Sequence, residues 1–387
     1  MNSSSESLTA SKNRSNNCVK FIHASDIHLG CQQYRNQNRA DDFITAFREI
    51  LALSIEHSVD FILLGGDVFT SLEMLPGKLL EIIDLLTEFK DHTRGKIPII
   101  AIEGNHDIRK FSIGLRLSER GQSWLKLISS LDLIILLEAN LNDPPEEMFK
   151  PYDFQLKKGG KFQVKNVMIH GIQYYGQDPV NFLPKIQAAI KKEKGIYNIL
   201  LQHYGIEGQM KNVPGVKLEN IELLKDRVNY LALGHFHRQF VIDDWIYNPG
   251  SSEAASWIDS TFKRGIFLVE VFNDEIFTKN VQIIRLHNRR HQWEVIFFPK
   301  PIRNKEDLYN IIFHKLKPIF NHKKKNEKAS NTRIPSLYLV LKGKMPCKLF
   351  KINEKELRNR ICENFPVVDV KIYQKFTNGI TRLDKYL

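Results

Sequence analysis

The sequence predicts an α/β protein: a layered β-sandwich flanked by helices, followed by a small α+β second domain. Three observations carry that prediction. Short β-rich apolar runs alternate with stretches of helical periodicity over the first two-thirds of the chain, which is the pattern of an α/β layered domain. Five of those runs end in carboxylate, imidazole or carboxamide side chains, as strands do when they deliver polar groups to one edge of a sheet. Beyond Trp257 such residues stop and the composition shifts, so 387 residues are expected to divide into two domains.

The first run is Phe21-Ile-His-Ala-Ser-Asp26-Ile-His28. Arg39 to Ser58 then places Phe43, Phe47, Ile50, Leu51 and Ile55 at helical spacing, predicting a helix packed on the sheet. The second run, Phe61-Ile-Leu-Leu-Gly-Gly-Asp67, precedes a helix opened by Pro76, with Leu79, Leu80, Ile83, Leu86 and Phe89 on its apolar face. The third is Ile99-Ile-Ala-Ile-Glu-Gly-Asn105-His106-Asp107, and a helix is expected from Ile113 to Ser130. Asn140 to Gly160, with Pro144-Pro145 and Gly159-Gly160, reads as a surface excursion. A strand is expected over Val164 to His170 and a helix over Pro179 to Lys194. The last two runs are Ile199-Leu-Leu-Gln-His203 and Leu231-Ala-Leu-Gly-His235-Phe-His237. Gly265 to Phe272 is a strand that could still edge the first domain. In the second domain the sequence predicts helices over Glu306 to Phe320 and Glu354 to Glu363. It predicts strands over Ser336 to Lys342 and Val367 to Tyr373, and a basic flexible loop over His322 to Arg333. The expected divisions are 1–18, a disordered lead-in; 19–258, the catalytic domain; and 259–387, the basic domain.

Charge separates the two domains. The chain has 56 basic and 44 acidic residues, a net +12. From Asp259 onward there are 27 Lys/Arg against 13 Asp/Glu, while the first 258 residues carry 29 against 31. A near-neutral catalytic part joined to a strongly basic one implies a polyanionic partner bound mainly by the second. Lys323, Lys324, Lys325, Lys328 and Arg333 are the candidate phosphate contacts, set against the plainer reading that surplus lysine only aids solubility. Cys18, Cys31, Cys347 and Cys362 form no Cys-x-x-Cys pair, which argues against a zinc ribbon or disulfide framework and fits a reducing compartment. The first residues lack the apolar core of a signal peptide and no run is long enough to span a bilayer, so a soluble intracellular protein is expected.

The strand-end residues outline a site for two metal ions. Asp26 and His28, two apart, can face one ion, and Asp67 after Gly65-Gly66 is a natural carboxylate bridge. Asn105 offers a neutral oxygen, and His203, His235 and His237 complete the shell. Mixed N and O donors without thiolate fit manganese, iron or zinc better than magnesium. Two ions about 3.5–4 Å apart clamp a phosphate and stabilise a leaving oxygen. His23 and His170 lie inside strands and are expected to be core or edge residues, and His57, His287, His291 and His314 receive no role.

In their order these motifs resemble the calcineurin-like metallophosphoesterase superfamily over roughly residues 19–258. Further stretches resemble the SbcD-type nuclease of double-strand-break repair, also called the meiotic-recombination-eleven nuclease. They are Ser25-Asp-Ile-His-Leu-Gly30, Arg39-Ala-Asp-Asp-Phe43, Val59 to Phe69, Ala101 to Asp107 and Tyr247-Asn-Pro-Gly-Ser251. The resemblance implies that Asp26, His28, Asp67 and His237 hold one ion and that Asn105, His203 and His235 join a bridging Asp67 on the other. His106, held by Asp107, would stabilise the transition state or protonate the leaving oxygen. It further implies two Mn2+, with Fe or Zn as alternatives, and 3′–5′ exonuclease and endonuclease action on DNA ends. A capping domain that contacts DNA, an SbcC-type coiled-coil ABC ATPase partner and a homodimer are also implied, with a cytoplasmic, nucleoid-associated location in a prokaryote or a nuclear one in a eukaryote. The candidate dimer surface is the 113–130 segment with Leu115, Leu117 and Trp124. Two departures stand out. Thr70 replaces a histidine that archaeal members often carry after Phe69, which bears on exonuclease efficiency. No obvious long helical tail precedes Leu387, so the ATPase-docking segment is expected to be missing or short. The competing readings are a small-substrate phosphatase or cyclic-nucleotide phosphodiesterase on the same fold, and a non-catalytic scaffold that binds DNA ends.

Overall fold

A computed structural model describes residues 18–33, 36–108, 123–176, 179–321, 333–344, 346 and 351–377. They fall into two compact units, one of residues up to Gln33 with Arg39–His287, the other of residues 36–38 with those from Asn288 onward.

In the first unit, strand β1 (Cys18–Ala24) leads to helix α1 (Gln37–Glu56), β2 (Phe61–Leu64), α2 (Pro76–Thr93), β3 (Ile99–Ala101), α3 (Trp124–Ser130) and β4 (Ile135–Leu136). The four strands are parallel neighbours, and every residue of β2 and β3 is buried. Parallel strands covered on both faces have to be apolar throughout, so these segments read as continuous apolar runs rather than alternating ones. Pro76 starts α2, where its missing N–H costs nothing, and Arg94 ends it in the left-handed conformation at φ 52°. Two long strands, β11 (Gly265–Asn273) and β12 (Phe277–Arg285), complete this sheet in the order β12-β11-β1-β2-β3-β4, with β11 antiparallel to β1.

A second sheet holds β5 (Lys161–Val164), β6 (Val167–Gly171), β7 (Tyr197–His203), β8 (Tyr230–Gly234), β9 (Phe240–Ile242) and β10 (Ile246–Asn248), ordered β5-β6-β7-β8-β10-β9. The inner faces of both sheets share one apolar layer that includes Phe21, Phe61, Ile100, Ile169, Ile199, Leu201, Tyr230 and Phe267. Helices α1 to α3 cover the outer face of the first sheet. The outer face of the second is covered by α4 (Pro145–Met148), α5 (Leu183–Ala189) and α6 (Leu218–Ile221). The result is the expected helix–sheet–sheet–helix sandwich.

Several expected elements take a different form. The single strand over Val164 to His170 is a hairpin, because Lys165 turns the chain at φ 51° between β5 and β6. The 140–160 segment runs over the surface as expected, but it is anchored there by Met148 and Phe149, which the single turn of α4 buries in the outer apolar layer. The helix over Pro179 to Lys194 is short, a 3-10 turn at Val180–Phe182 followed by α5, because Ile190 is already extended. Of the helix over Ile113 to Ser130 the described part is α3, and Leu115 and Leu117 lie outside the described residues. The first unit runs on to His287, past residue 258, because β11 and β12 pair into its sheet.

The second unit alternates β13 (His291–Phe298), α7 (Lys305–Asn321), β14 (Ser336–Lys344), α8 (Glu354–Asn364) and β15 (Asp369–Thr377). Its three strands are all parallel, as helical crossovers require. Leu308, Ile312, Leu316, Leu357 and Ile361 of the helices pack on Ile296, Phe298, Leu339, Leu341 and Ile372 of the sheet. Among the described residues no helix is long and apolar enough to cross a membrane.

Candidate metal centre

The seven expected ligands follow strand ends from both sheets: Asp26 and His28 after β1, Asp67 after β2, Asn105 after β3, His203 ending β7, and His235 and His237 after β8. Backbone hydrogen bonds tie the loops together, from Asp26 N to Gly66 O at 3.0 Å and from His28 N to Asp67 O at 3.0 Å. Asp26, His28, Asp67 and His235 all have positive φ, at 50°, 53°, 50° and 87°. The loops pass so closely that two glycines are required. A Cβ on Gly66 (φ 88°) would lie 2.5 Å from His203 Nδ1, and one on Gly104 would lie 2.2 Å from Asp67 Oδ1.

Two groups of donors result, Asp26 with His28 and His237, and Asp67 with His203 and His235, the ligand atoms of each within 4.8 Å of one another. In the first, Ser25 Oγ (2.5 Å) and His235 N (3.0 Å) both donate to Asp26 Oδ2. Asp26 Oδ1 has no hydrogen-bond partner and stands 3.7 Å from His237 Nε2. His28 Nε2 and His237 Nε2 face each other at 3.0 Å. In the second, His203 Nδ1 donates to Gly65 O at 2.7 Å, which leaves Nε2 3.3 Å from Asp67 Oδ2. Asn105 Oδ1 sits 3.2 Å from His203 Nε2 and 2.9 Å from His235 Nδ1.

Burial sets the electrostatics. It drives His28 down to about 3, helped by the charge of His237, and His235 to about 4, helped by His203. It raises the Asp26 carboxyl above the ordinary range. Two imidazoles go the other way. Burial opposes charge on His203 and His237, but Asp67 lifts the first to about 9 and the Asp259 carboxylate lifts the second to about 9. Asp67 is held well below the usual carboxylate range because His203 outweighs its burial.

A divalent-cation pair fits these residues. An unpartnered buried carboxylate oxygen calls for a cation, since a buried polar atom without a partner is costly, and two imidazole nitrogens 3.0 Å apart converge beside it. The donor set is entirely nitrogen and oxygen, suited to Mn, Fe or Zn.

His106 is exposed between the buried Asn105 and Asp107. Its ring is anchored through Nδ1 to Thr70 O at 2.9 Å. Asp107 does not hold that ring, as was expected of it. Its carboxylate accepts from the backbone N–H groups of Gly104 (2.8 Å), Phe69 (2.8 Å) and Val68 (3.2 Å), which locks two ligand loops together. Burial, reinforced by Asp67, pushes the Asp107 carboxyl up to about 8. His23 is a core residue bonded to Tyr230 Oη (3.0 Å) and Leu233 O (3.1 Å), and His170 is buried against Phe149. Arg333 is half-buried ahead of β14, while Lys323, Lys324, Lys325 and Lys328 lie outside the described residues.

Two neighbours of the centre escaped the sequence reading. Asp259 Oδ2 meets His237 Nδ1 at 2.8 Å although composition put it in the other domain. Tyr174 lies along His235 with ring centroids 6.3 Å apart and edge-on to His203 at 6.1 Å. It follows the end of β6, so the strand-end rule that located the ligands could also have found it.

Residues 19–239, more than half of the chain, match the family model for calcineurin-like phosphoesterases. The DNA double-strand break repair protein Mre11 of Archaeoglobus fulgidus is 28% identical over 242 residues, 61% of this chain and 50% of its own length. Its namesake from Saccharolobus solfataricus is 28% identical over 222 residues, 57% of this chain and 50% of its own. That of Thermoplasma acidophilum is 26% identical over 286 residues, covering 71% and 67%. The chain thus spans about half the length of the first two of these relatives. A solved dimetal phosphatase from Danio rerio matches 69% of this chain and 98% of its own at 9% identity and a TM-score of 0.37, which adds nothing to the fold described above. By the span of the family match, and with the strand-end ligand motifs inside it, the chain belongs to the calcineurin-like phosphoesterase family.

Proposed function

We propose that this protein is a two-metal phosphodiesterase that cuts DNA, acting as a manganese-dependent endonuclease and 3′–5′ exonuclease in the processing of double-strand break ends. The observation that carries the reading is the convergence of two three-residue donor groups beside an exposed, backbone-anchored His106. Asp26, His28 and His237 would hold one cation, Asn105, His203 and His235 the other, and Asp67 would serve both. Bound cations of this kind supply Lewis-acid polarisation of the phosphate oxygens. The chain's own part is positioning and proton transfer. Thr70 O accepts from His106 Nδ1, so proton exchange with the leaving oxygen falls to Nε2. Asp107 keeps the Asp67 and Asn105 loops in register through its three backbone donors.

DNA is the favoured substrate for two reasons. The relatives are named double-strand break repair proteins, and residues 288–387 carry 23 Lys/Arg against 9 Asp/Glu, a surplus a small substrate would not need. An SbcC-type ATPase and a second copy of the chain are the partners that the same resemblance suggests.

The test is cleavage of plasmid and hairpin DNA, and of a chromogenic phosphodiester, with Mn2+ supplied. The nuclease reading expects DNA to be cut. Turnover of the chromogenic compound alone would replace it with a small-substrate phosphodiesterase, and DNA-end binding without either activity with a scaffold. His106→Gln should keep its metal and lose turnover by on the order of 10²–10⁴ if Nε2 carries the proton; loss of metal in that variant would make His106 a ligand.

A further inference from the structure

The imidazoles of the centre are not backed alike. His203 turns its outer nitrogen to a neutral backbone carbonyl, Gly65 O, at 2.7 Å. His28 Nδ1 has no hydrogen-bond partner. His235 turns Nδ1 inward, to the ligand oxygen Asn105 Oδ1 at 2.9 Å, and no carboxylate pairs with its ring among the described residues. Among the described residues, His237 is the one whose outer nitrogen meets a carboxylate, Asp259 Oδ2 at 2.8 Å.

That carboxylate is itself held rigidly. Asp259 is 3% exposed. The Ser256 amide donates to the same Oδ2 at 2.8 Å, Ser256 Oγ accepts from Asp259 N at 3.3 Å, and the Arg264 guanidinium donates to Asp259 O. The geometry fixes a tautomer. A carboxylate can only accept here, so Nδ1 keeps its proton, and Nε2, turned inward toward His28 and Asp26, is the nitrogen left to give a lone pair to a cation. A carboxylate behind an imidazole also makes the ring a stronger donor than a carbonyl does.

We propose that Asp259 is a positioning residue for His237, and that it makes the Asp26/His28/His237 position bind a divalent cation more tightly than the Asp67/His203/His235 position. This rests on the metal-centre reading above. It adds an ordering of the two positions and names the residue responsible. The asymmetry has a functional consequence: at limiting metal the first position fills before the second, so activity is governed by occupancy of the weaker one.

The test is calorimetric titration of the full chain, stripped of metal, with Mn2+, alongside the X-band spectrum of bound Mn2+. Wild type should show two classes of site. Asp259→Asn keeps the shape but presents an amide N–H that can donate to Nδ1, favouring the wrong tautomer. It should weaken the tighter class by roughly 10–100-fold and leave the other unchanged. Asp259→Glu should recover part of the loss. Thermal unfolding of the metal-free variants separates positioning from folding, and the Asn variant should melt within a few degrees of wild type. Two unaltered classes in Asp259→Asn, or equal weakening of both, would overturn the proposal. So would a metal-free melting loss large enough to account for the change. Wild type that binds fewer than two ions would instead sink the metal-centre reading.

Discussion

A non-glycine residue held at φ near +50° costs on the order of 1–3 kcal/mol, and it persists only where the surroundings enforce it. Asp26, His28 and Asp67 all adopt that conformation, at 50°, 53° and 50°. The enforcement is visible in the bonds from Asp26 N to Gly66 O and from His28 N to Asp67 O, which pull the two ligand loops across each other. Asp67 is the electrical centre of the arrangement, its pKa lowered by His203, His28 and His106 together. If it serves both cations, Asp67→Ala should release both, whereas His237→Ala should mainly weaken one. Metal content by mass spectrometry decides this, and two ions retained in Asp67→Ala would end the bridging assignment. At this scale the sequence was highly legible for residue types and poorly legible for their connections. A polar ligand after an apolar run can be read directly. The backing of His237 by Asp259 cannot, because 22 residues and a change of composition separate them.

Helix α1 shows how an element supports the centre from outside it. Arg39 near its start is fully buried. It donates to Gln33 Oε1 (2.9 Å), to Asp42, to Glu253 Oε1 (3.1 Å) and to Ala254 O (3.1 Å). Just upstream, Ser252 N donates to Asp26 O at 3.3 Å, so the helix and a ligand loop share one clasp. Removing one partner of a buried ion cluster leaves the others uncompensated. Arg39→Met is therefore expected to lose roughly 3–5 kcal/mol of stability. Urea denaturation should show a lower midpoint at unchanged slope, and a loss below about 1 kcal/mol would mean that Asp42 and Glu253 find other partners. Periodicity read α1, α2, α7 and α8 well because each has an apolar stripe. It read β6 but ran it back to Val164, the last residue of β5, because the Lys165 turn carries no glycine or proline to mark it. It passed over β12 because an edge strand such as Phe277–Arg285, half exposed, carries no continuous apolar run.

For the molecule as a whole, charge and packing draw different boundaries. Composition changes after Trp257, but the first unit closes at His287. Residues 259–287 hold four basic and four acidic residues, so charge alone could not assign them. The whole surplus of +14 therefore lies in residues 288–387, which strengthens the case that the second unit meets a polyanion. Each phosphate neutralised contributes about −0.9 to the slope of log affinity against log salt. Changing Lys323, Lys324 and Lys325 together to Ser should flatten that slope by up to about three units if all three touch DNA. Binding should weaken alike for every sequence, because phosphate contacts carry no base information. Hydrolysis of a chromogenic phosphodiester should persist, since the donor groups belong to the other unit. Affinity measured between low and physiological salt makes the comparison. An unaltered slope in the triple variant would move the phosphate contacts off these lysines, to the remaining basic residues of the second unit or to the rim of the metal centre.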